Sequence, residues 1–191
     1  MKKHKNIIWE GRFQPIHKGH LSYMRKLLEL GERVWIVVLA NETSTEVYSD
    51  SSLLPVKEFS KEVDFHHQPS KNTLPFWIRY LMVTEAVKEE FGATAPIIIM
   101  SGRRLDLAWD LYKKIFPVDR VFVTPLRDDF EDLKAKAWKQ LGERNERIDV
   151  SDLPQISATM VRDRIAENKN VDDLLATSTI EILRNNNFLN N

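Results

Sequence analysis

The sequence contains no cysteine in its 191 residues. This absence excludes disulfide bonds, zinc sites built on thiolates and thiol nucleophiles, and it is compatible with a reducing cytoplasm. Long apolar runs are missing too. The run "VWIVVLA" (residues 34–40) is too short to cross a bilayer, and the apolar run near the basic N-terminus is too short for a signal peptide. We therefore expect a soluble, cytoplasmic protein with no membrane partner.

Neither sign of charge prevails, because 28 lysines and arginines balance 28 aspartates and glutamates. A protein that binds a nucleic-acid duplex needs a basic field, so nucleic acid is not expected as a partner. Any bound anion must be held by local geometry. The length and the 42% hydrophobic content predict one domain over residues 1–191 with an ordinary core, and they leave open whether it forms a homo-oligomer.

Short β-branched runs alternate with segments of helical period. Four of these runs indicate buried strands, at residues 6–11, 34–40, 96–102 and 120–125. Between the first two lies a predicted helix, Lys18–Leu30, which Gly31 would end. This alternation predicts an α/β fold, a parallel sheet with helices on both faces, in which ligands bind beyond the carboxyl ends of the strands.

Three more helices are predicted downstream. Residues 75–91 would form one, with an inner stripe of Trp77, Leu81, Thr84, Val87 and Phe91. Residues 105–115 would form the next, and the charged stretch 127–147 an exposed helix that turns inward Phe130, Leu133, Ala137 and Leu141. The stretch 41–72 has no sustained period and is long for a loop, so it is an insertion or an active-site flap.

The stretch "GRFQPIHKGH" (residues 11–20) places two histidines at the start of the first predicted helix. A helix N-terminus carries free backbone N–H groups and roughly half a positive charge, so it attracts anions. His17 and His20, at i and i+3, can address a single group. Gly19 keeps that turn uncluttered, and Gly11 lets a ligand approach the backbone without meeting a Cβ. The pattern predicts preorganised donors around a phosphate.

Two other interpretations compete with a phosphate-binding role for these histidines. One is an ordinary surface or capping histidine, which does not explain the pair or the Gly-Arg-Phe-Gln-Pro before it. The other is a metal site, which needs a third ligand. The only remaining histidines are His4, His66 and His67, so we predict no metal ligands in the protein.

The stretch "PQISATMVRDRIAENKN" near the C-terminus follows the same logic. Ser157 or Thr159 can cap a helix that turns Val161 and Ile165 inward. The N-terminus of that helix is a second anion site, and Arg162 lies one turn along it, where it could reach a polyphosphate. The alternative is a simple cap with a solvated arginine.

These residues carry a resemblance to a known family. The motifs "GRFQPIHKGH" and "ISATMVR" resemble the two signatures of the HxGH nucleotidylyltransferase superfamily, and the "GRFQP" prefix is most similar to nicotinamide-mononucleotide adenylyltransferases of the archaeal kind. Between them, "NTLPFWIRYLM" resembles the family's "NPFTxxERxLM", and "IIIMSGRR" resembles its strand ending in Ser-Gly-Asn. The likeness spans most of the chain in the same order and implies a Rossmann-like sheet.

The resemblance also implies a reaction and its residues. A substrate phosphate would attack the α-phosphorus of a nucleoside triphosphate in line, pyrophosphate would leave, and magnesium would assist without a protein nucleophile. The catalytic residues would be His17, Lys18, His20 and Arg162. Nucleotide binding would fall to Gly11, Arg12, Phe13, Gln14, Gly19, Ser157 and Thr159. The phosphorylated small-molecule acceptor would contact Asn72, Arg79, Ser101, Gly102 and Arg103.

Departures from the family pattern concentrate around the acceptor. The segment that often bears a tryptophan stacking on nicotinamide is shortened, and Arg103 stands where the family has asparagine. Trp77 or Trp109 would replace the stacking group only if it left the core, which is where both are expected. The base and the acceptor therefore stay open between ATP with nicotinamide mononucleotide and CTP with another phosphate or phosphonate. A nucleotide sensor without turnover is the third alternative.

Overall fold

The computed structural model describes residues 2–40, 72–102, 105 and 109–190. Its strands are β1 (His4–Gly11), β2 (Gly31–Leu39), β3 (Ile97–Gly102), β4 (Val121–Leu126) and β5 (Asn145–Asp149). The helices of these ranges are α1 (Lys18–Leu30), α2 (Phe76–Phe91), α3 (Trp109–Ile115), α4 (Asp129–Gln140), α5 (Ala158–Ala166) and α6 (Thr177–Asn185). Most of the predicted 41–72 insertion, with His66 and His67, lies outside the described residues, as do Arg103 and Arg104.

The five strands form one parallel sheet in the order β3-β2-β1-β4-β5. The predicted Rossmann-like α/β fold is thereby confirmed. The chain winds outward from β1 in one direction to β3 and then in the other direction through β4 to β5. The connections therefore reverse between β1 and β4, and the crevice beyond the carboxyl ends of these two strands is where such sheets bind ligands.

Both faces of the sheet are buried because side chains alternate along each strand. Ile7 and Trp9 belong to the larger core cluster, shared with α1, α2 and α6. Ile8 belongs to a second cluster with Trp109 of α3 and Trp138 of α4. Within the described residues no helix is both long and apolar enough to cross a bilayer.

α1 ends at Leu30 with Gly31 as its C-cap, as predicted, but Gly31 does not adopt a left-handed conformation. Its φ of −118° and ψ of 149° are those of extended chain, and it is already the first residue of β2. The glycine is needed for packing instead, because a Cβ there would lie 2.7 Å from Cδ1 of Ile7. Helix and strand thus meet without a loop, at a point where the Ile7 side chain occupies the space of a Cβ.

The predicted inner stripe of α2 is wrong by about one position. Trp77 is 59% exposed and Leu81 is exposed, whereas the buried residues are Ile78, Arg79, Met82, Val83, Ala86 and Val87. The pattern failed because the buried face contains an arginine, which periodicity assigns to solvent. Only Val87 of the predicted stripe is buried.

The predicted helix over residues 127–147 is also wrong in its extent. α4 ends at Gln140, Gly142 adopts a φ of 78°, and the polar segment Asn145–Asp149 joins the sheet as β5. Of the predicted inward residues only Ala137 is buried, while the charged Glu131 and Lys134 are buried as well. An edge strand with the sequence "NERID" has too little apolar character to be recognised from its pattern.

Candidate active site

A cleft of about 340 Å³ opens at the carboxyl ends of β1 and β4. It is lined by residues of the "GRFQP" segment, by His17 and His20, and by Ser157, Thr159 and Arg162 from the start of α5. The two stretches that the sequence singled out are therefore brought to one cavity, on the same side of the sheet edge. The cavity lies at the reversal of strand order, where an α/β sheet binds its ligand.

The two histidines hold each other through the backbone. His17 is the N-cap of α1: its Nδ1 accepts a hydrogen bond from the His20 amide at 3.3 Å, and the His20 Nδ1 accepts one from the His17 amide at 3.2 Å. The rings stack with centroids 3.6 Å apart. Since both Nδ1 atoms accept, each neutral ring carries its proton on Nε2, and that N–H is the donor left for a ligand.

Both imidazoles are uncharged near neutral pH. Burial, together with the nearby positive charge of Arg127, lowers the pKa of His17 to about 3. Burial and the neighbouring His17 and Arg127 also lower the pKa of His20 well below its usual value. The site therefore meets a phosphate with neutral N–H donors. An arriving polyanion would raise both pKa values again, because it favours the charged rings.

The glycines of this motif serve the protein's own side chains. A Cβ on Gly19 would lie 3.0 Å from Nδ1 of His17 and 3.2 Å from the Pro154 carbonyl oxygen, so the predicted uncluttered turn is observed. Gly11 lines the cleft, but a Cβ at this position would lie 3.1 Å from the Phe13 ring. The space that the glycine leaves free is therefore taken by Phe13 and not by a ligand. Phe13 is buried and has a φ of 52°, a left-handed conformation that costs energy for a residue with a side chain.

Arg79 holds this strained loop and does not reach the cleft. Its side chain is 0% exposed and donates to three backbone carbonyls, at 2.6 Å to Arg12, 2.7 Å to Leu39 and 3.1 Å to Leu74. Arg79 therefore does not line the cleft, and its predicted contact with an acceptor stays a prediction. The side-chain amide of Gln14 supports the same region by exchanging two hydrogen bonds with the backbone of Leu74.

The start of α5 is built as predicted. Ser157 is the N-cap and its Oγ accepts a hydrogen bond from the Met160 amide at 3.1 Å. Arg162 donates to the Thr159 hydroxyl at 3.1 Å and to the Gln14 carbonyl at 2.7 Å. This last bond ties the second motif to the first. The guanidinium group thus lies at the cleft wall between the two helix ends.

Arg12 adds to the positive charge of the same wall. Burial and repulsion by Arg162 lower its pKa to about 10, although Glu10 opposes the shift. Two arginines that repel each other across a cavity are stabilised when an anion lies between them. Arg12 also donates a long hydrogen bond, 3.4 Å, to Asn72.

Lys18 lies elsewhere. Its Nζ donates to the Asp172 carbonyl at 2.6 Å, and the side chain lines a separate groove near α6. The structure therefore does not bring the predicted catalytic lysine to the cleft. Of the predicted acceptor residues, Ser101 and Gly102 do end β3, as expected, yet neither lines the cleft, and Arg103 is outside the described residues.

The sequence missed the opposite wall of the cleft. Arg127 and Asp128 follow β4, and Asp128 caps α4 by accepting from the Glu131 amide at 3.0 Å. Lys134 pairs with Glu10 at 2.8 Å inside the cleft. Charge patterning alone placed these residues on an exposed helix face. The one available signal was Glu10, an acid within the otherwise apolar strand "IIWEG".

Trp77 and Trp109, both predicted to lie in the core, differ in burial. Trp109 is a core residue, as predicted, packed edge-on against Phe122 and Trp138. Trp77 is exposed, so its expected place in the core is wrong. Neither lines the cleft.

No group of three or more His, Cys, Asp or Glu side chains is arranged to hold a metal ion among the residues that the structure describes. Magnesium, however, is commonly held by substrate phosphates, waters and at most a carboxylate or two. The cleft suits that mode, because Asp128 is a partly exposed carboxylate on its wall. It does not suit an ion bound by the protein alone.

The fold is that of an α/β protein with a cleft at the carboxyl edge of its sheet, where such sheets bind their ligands. A family model described as Cytidylyltransferase-like matches residues 8–164, which is most of the chain, so the protein belongs to the cytidylyltransferase-like family. The predicted membership of the HxGH nucleotidylyltransferase superfamily is confirmed. The protein is a nucleotidyltransferase, and enzymes of this kind generally use a divalent metal ion.

Two curated relatives match more than nine-tenths of the chain. A probable nicotinate-nucleotide adenylyltransferase of Flavobacterium johnsoniae is 26% identical over 193 residues, covering 95% of this chain and 96% of that protein. The phosphonoformate cytidylyltransferase of Streptomyces viridochromogenes is 28% identical over 182 residues, covering 91% and 88%. Among solved structures, Plasmodium falciparum nicotinic acid mononucleotide adenylyltransferase complexed with NaAD superposes with a TM-score of 0.60 at 17% identity, covering 96% of this chain and 97% of that one, which shows the shared fold.

Proposed function

We propose that this protein transfers AMP from ATP to the phosphate of nicotinamide mononucleotide and releases pyrophosphate, assisted by magnesium. The observation that carries the proposal is the convergence of two helix starts on one cleft. His17 and His20 stand at one of them, and Ser157, Thr159 and Arg162 at the other. Two separate sets of phosphate donors are what a triphosphate needs and what a single phosphate does not.

The residues support an in-line displacement. An oxygen of the acceptor phosphate forms a bond to the α-phosphorus of ATP, the bond from that phosphorus to the bridging oxygen breaks, and pyrophosphate leaves. The Nε2–H groups of His17 and His20 donate to the α-phosphate oxygens, whose charge grows in the transition state. Ser157, Thr159 and Arg162 hold the β- and γ-phosphates. Magnesium, when bound to these phosphates, neutralises charge on the leaving group.

A cytidylyltransferase is the second candidate. The relative from Streptomyces viridochromogenes bears that name, and the departures from the adenylyltransferase pattern fall in the acceptor region rather than in the phosphate motifs. In that case CTP would replace ATP, and a phosphate or phosphonate other than nicotinamide mononucleotide would be the acceptor.

Pyrophosphate release separates the two candidates. Each nucleoside triphosphate is incubated with nicotinamide mononucleotide and, separately, with small phosphonates, in the presence of magnesium. We expect release with ATP and nicotinamide mononucleotide, and loss of that release when a chelator removes the metal. Release that requires CTP and a phosphonate would replace the first proposal by the second.

A further inference from the structure

The part of the cleft beside α4 contains a buried cluster of three ionisable side chains. We call it the ion-pair pocket and define it by Glu10 of β1 with Glu131 and Lys134 of α4, all of which line the cleft. Their exposed fractions are 8%, 5% and 6%. The phosphate-binding histidines and α5 occupy the other part of the cleft, so this pocket is left for a different portion of the substrates.

The ion-pair pocket contains one lysine and two carboxyl groups, and the Arg127 guanidinium group lies 3.6 Å from Oε1 of Glu131. One lysine ammonium serves two carboxyl groups, at 2.8 Å to Glu10 and 3.4 Å to Oε2 of Glu131. That Oε2 is buried and accepts no hydrogen bond. Burial raises the pKa of Glu131, and Glu10 adds to the shift, although Lys134 opposes it. The pocket thus has one hydrogen-bond acceptor more than its own donors satisfy.

The surroundings of this cluster are apolar. Leu39, Leu105 and Trp138 line the same cleft, and the ring of Phe130 lies with its centroid 5.5 Å from Nζ of Lys134. Ligand sites commonly consist of such walls with a few convergent polar groups. A planar ring bearing one polar substituent matches this composition.

Stability does not explain the cluster. Replacing a buried ion pair with well-packed apolar residues is often neutral or stabilising, whereas an unsatisfied buried acceptor costs about 1–3 kcal/mol. A core designed for stability alone would place leucine or methionine at these positions. At the wall of a substrate cleft, a ligand that donates a hydrogen bond can satisfy such a buried acceptor.

We propose that Glu10, Glu131 and Lys134 bind the head group of the acceptor and select an uncharged hydrogen-bond donor, such as a carboxamide, over a carboxylate. The inference rests on the proposed function and specifies its acceptor. A carboxamide offers its oxygen to Lys134 and its N–H groups to the two glutamates. A carboxylate has no hydrogen to donate, so it would leave Oε2 of Glu131 unsatisfied and place a third carboxyl group beside the two glutamates.

The test compares two acceptors that differ in this group alone, nicotinamide mononucleotide and nicotinate mononucleotide. We expect the wild type to favour the carboxamide in kcat/KM by roughly a hundredfold, as sites with matched hydrogen bonds do. Glu131→Gln keeps the size of the side chain, removes the charge and supplies its own donor. This variant should reduce the preference by about tenfold, mainly because the carboxylate acceptor gains.

Glu143→Gln is the matched control. Glu143 is also part-buried and pairs with an arginine, Arg120, at 2.6 Å, but it lies outside the cleft. The control variant should therefore lose an ion pair of similar kind and leave the acceptor preference unchanged. An unchanged preference in Glu131→Gln, or a wild-type preference for the carboxylate acceptor, would overturn the inference.

Direct binding separates this inference from the proposed reaction. Calorimetric titration of both mononucleotides measures head-group preference whether or not pyrophosphate is released. Tighter binding of the carboxamide without turnover would refute the reaction and support the pocket, whereas binding of neither would refute the pocket. If Glu131→Gln changes the preference between ATP and CTP but not between acceptors, the pocket holds the nucleobase and the inference is wrong.

Discussion

The two sides of the cleft are built in different ways. On the side of α1 and α5, each donor is fixed by its own stretch of backbone: His17 and His20 bond to each other's amides, and Ser157 caps its own helix. On the side of α4, Lys134 meets Glu10, a partner far away in sequence. Short sequence motifs therefore predict the first side. The contacts of the second side form only when α4 packs against the sheet, so no short motif predicts them.

The two sides differ in electrostatics as well. The phosphate side offers neutral imidazoles and helix ends, with Arg12 and Arg162 as cations. The α4 side holds charges that largely compensate one another. The side of α1 and α5 thus attracts a polyanion. The side of α4 binds a group that donates a hydrogen bond to its unsatisfied carboxyl oxygen. Four experiments test this difference between the two sides of the cleft. The first concerns Arg79, which supports the loop that borders both sides.

Substitution of Arg79 by methionine should have the largest effect. The change removes the Arg79 donor from the carbonyl oxygens of Arg12 and Leu39 and leaves that of Leu74 with only the Gln14 amide, so we expect the free energy of unfolding to fall by about 3 kcal/mol or more. Urea denaturation measures the change. Arg25→Met, at an exposed arginine paired with Glu90, serves as the control and should change stability little.

A stable Arg79→Met variant with a raised KM for the acceptor alone would contradict this assignment. It would restore the direct acceptor contact that the resemblance implied for Arg79. In the structure the Arg79 side chain is completely buried and does not line the cleft.

His17→Ala should cut turnover by about a hundredfold or more, the usual effect of removing a preorganised donor. The fold should survive, because a lost helix cap costs only about 1 kcal/mol. Pyrophosphate release at saturating substrates measures the effect, with circular dichroism as the check on folding. His4→Ala is the matched control, since His4 pairs with Glu146 away from the cleft. An undiminished rate in His17→Ala would remove His17 from the mechanism.

His17 should also make stability depend on pH. Its pKa of about 3 in the folded protein lies below its value of about 6.5 in an unfolded chain, so between these values the unfolded state binds the extra proton. Stability therefore falls as pH decreases through this window, by up to about 2 kcal/mol at pH 5. His17→Asn keeps a capping side chain and should lose less stability from pH 8 to pH 5 than the wild type. Parallel pH profiles in denaturant titrations would show that His17 is not held neutral by burial.

The contrast also explains what the sequence could predict. The parallel sheet followed from the alternation of apolar runs such as "VWIVVLA" with helical segments, its Rossmann-like character from the family resemblance, and the proposed phosphate side from motifs whose residues are local neighbours. Glu131 and Lys134 were assigned to solvent because periodicity treats every charge as exposed, and Arg79 was assigned to the acceptor by the resemblance, whereas all three side chains are buried. The sequence analysis missed β5 for a related reason. The segment "NERID" joins the sheet through backbone hydrogen bonds, and its polar side chains do not predict a strand.

Lys18→Ala should have the smallest effect, although Lys18 stands within the histidine motif. Its ammonium group donates to the Asp172 carbonyl outside the cleft, so its charge reaches the triphosphate only through solvent, which screens it. We expect kcat/KM to change by no more than about threefold. Arg162→Ala provides the comparison and should markedly raise the KM for the triphosphate, because Arg162 lines the cleft. A large loss of turnover in Lys18→Ala, with unchanged stability, would mean that Lys18 leaves Asp172 when substrate binds and joins the phosphate side.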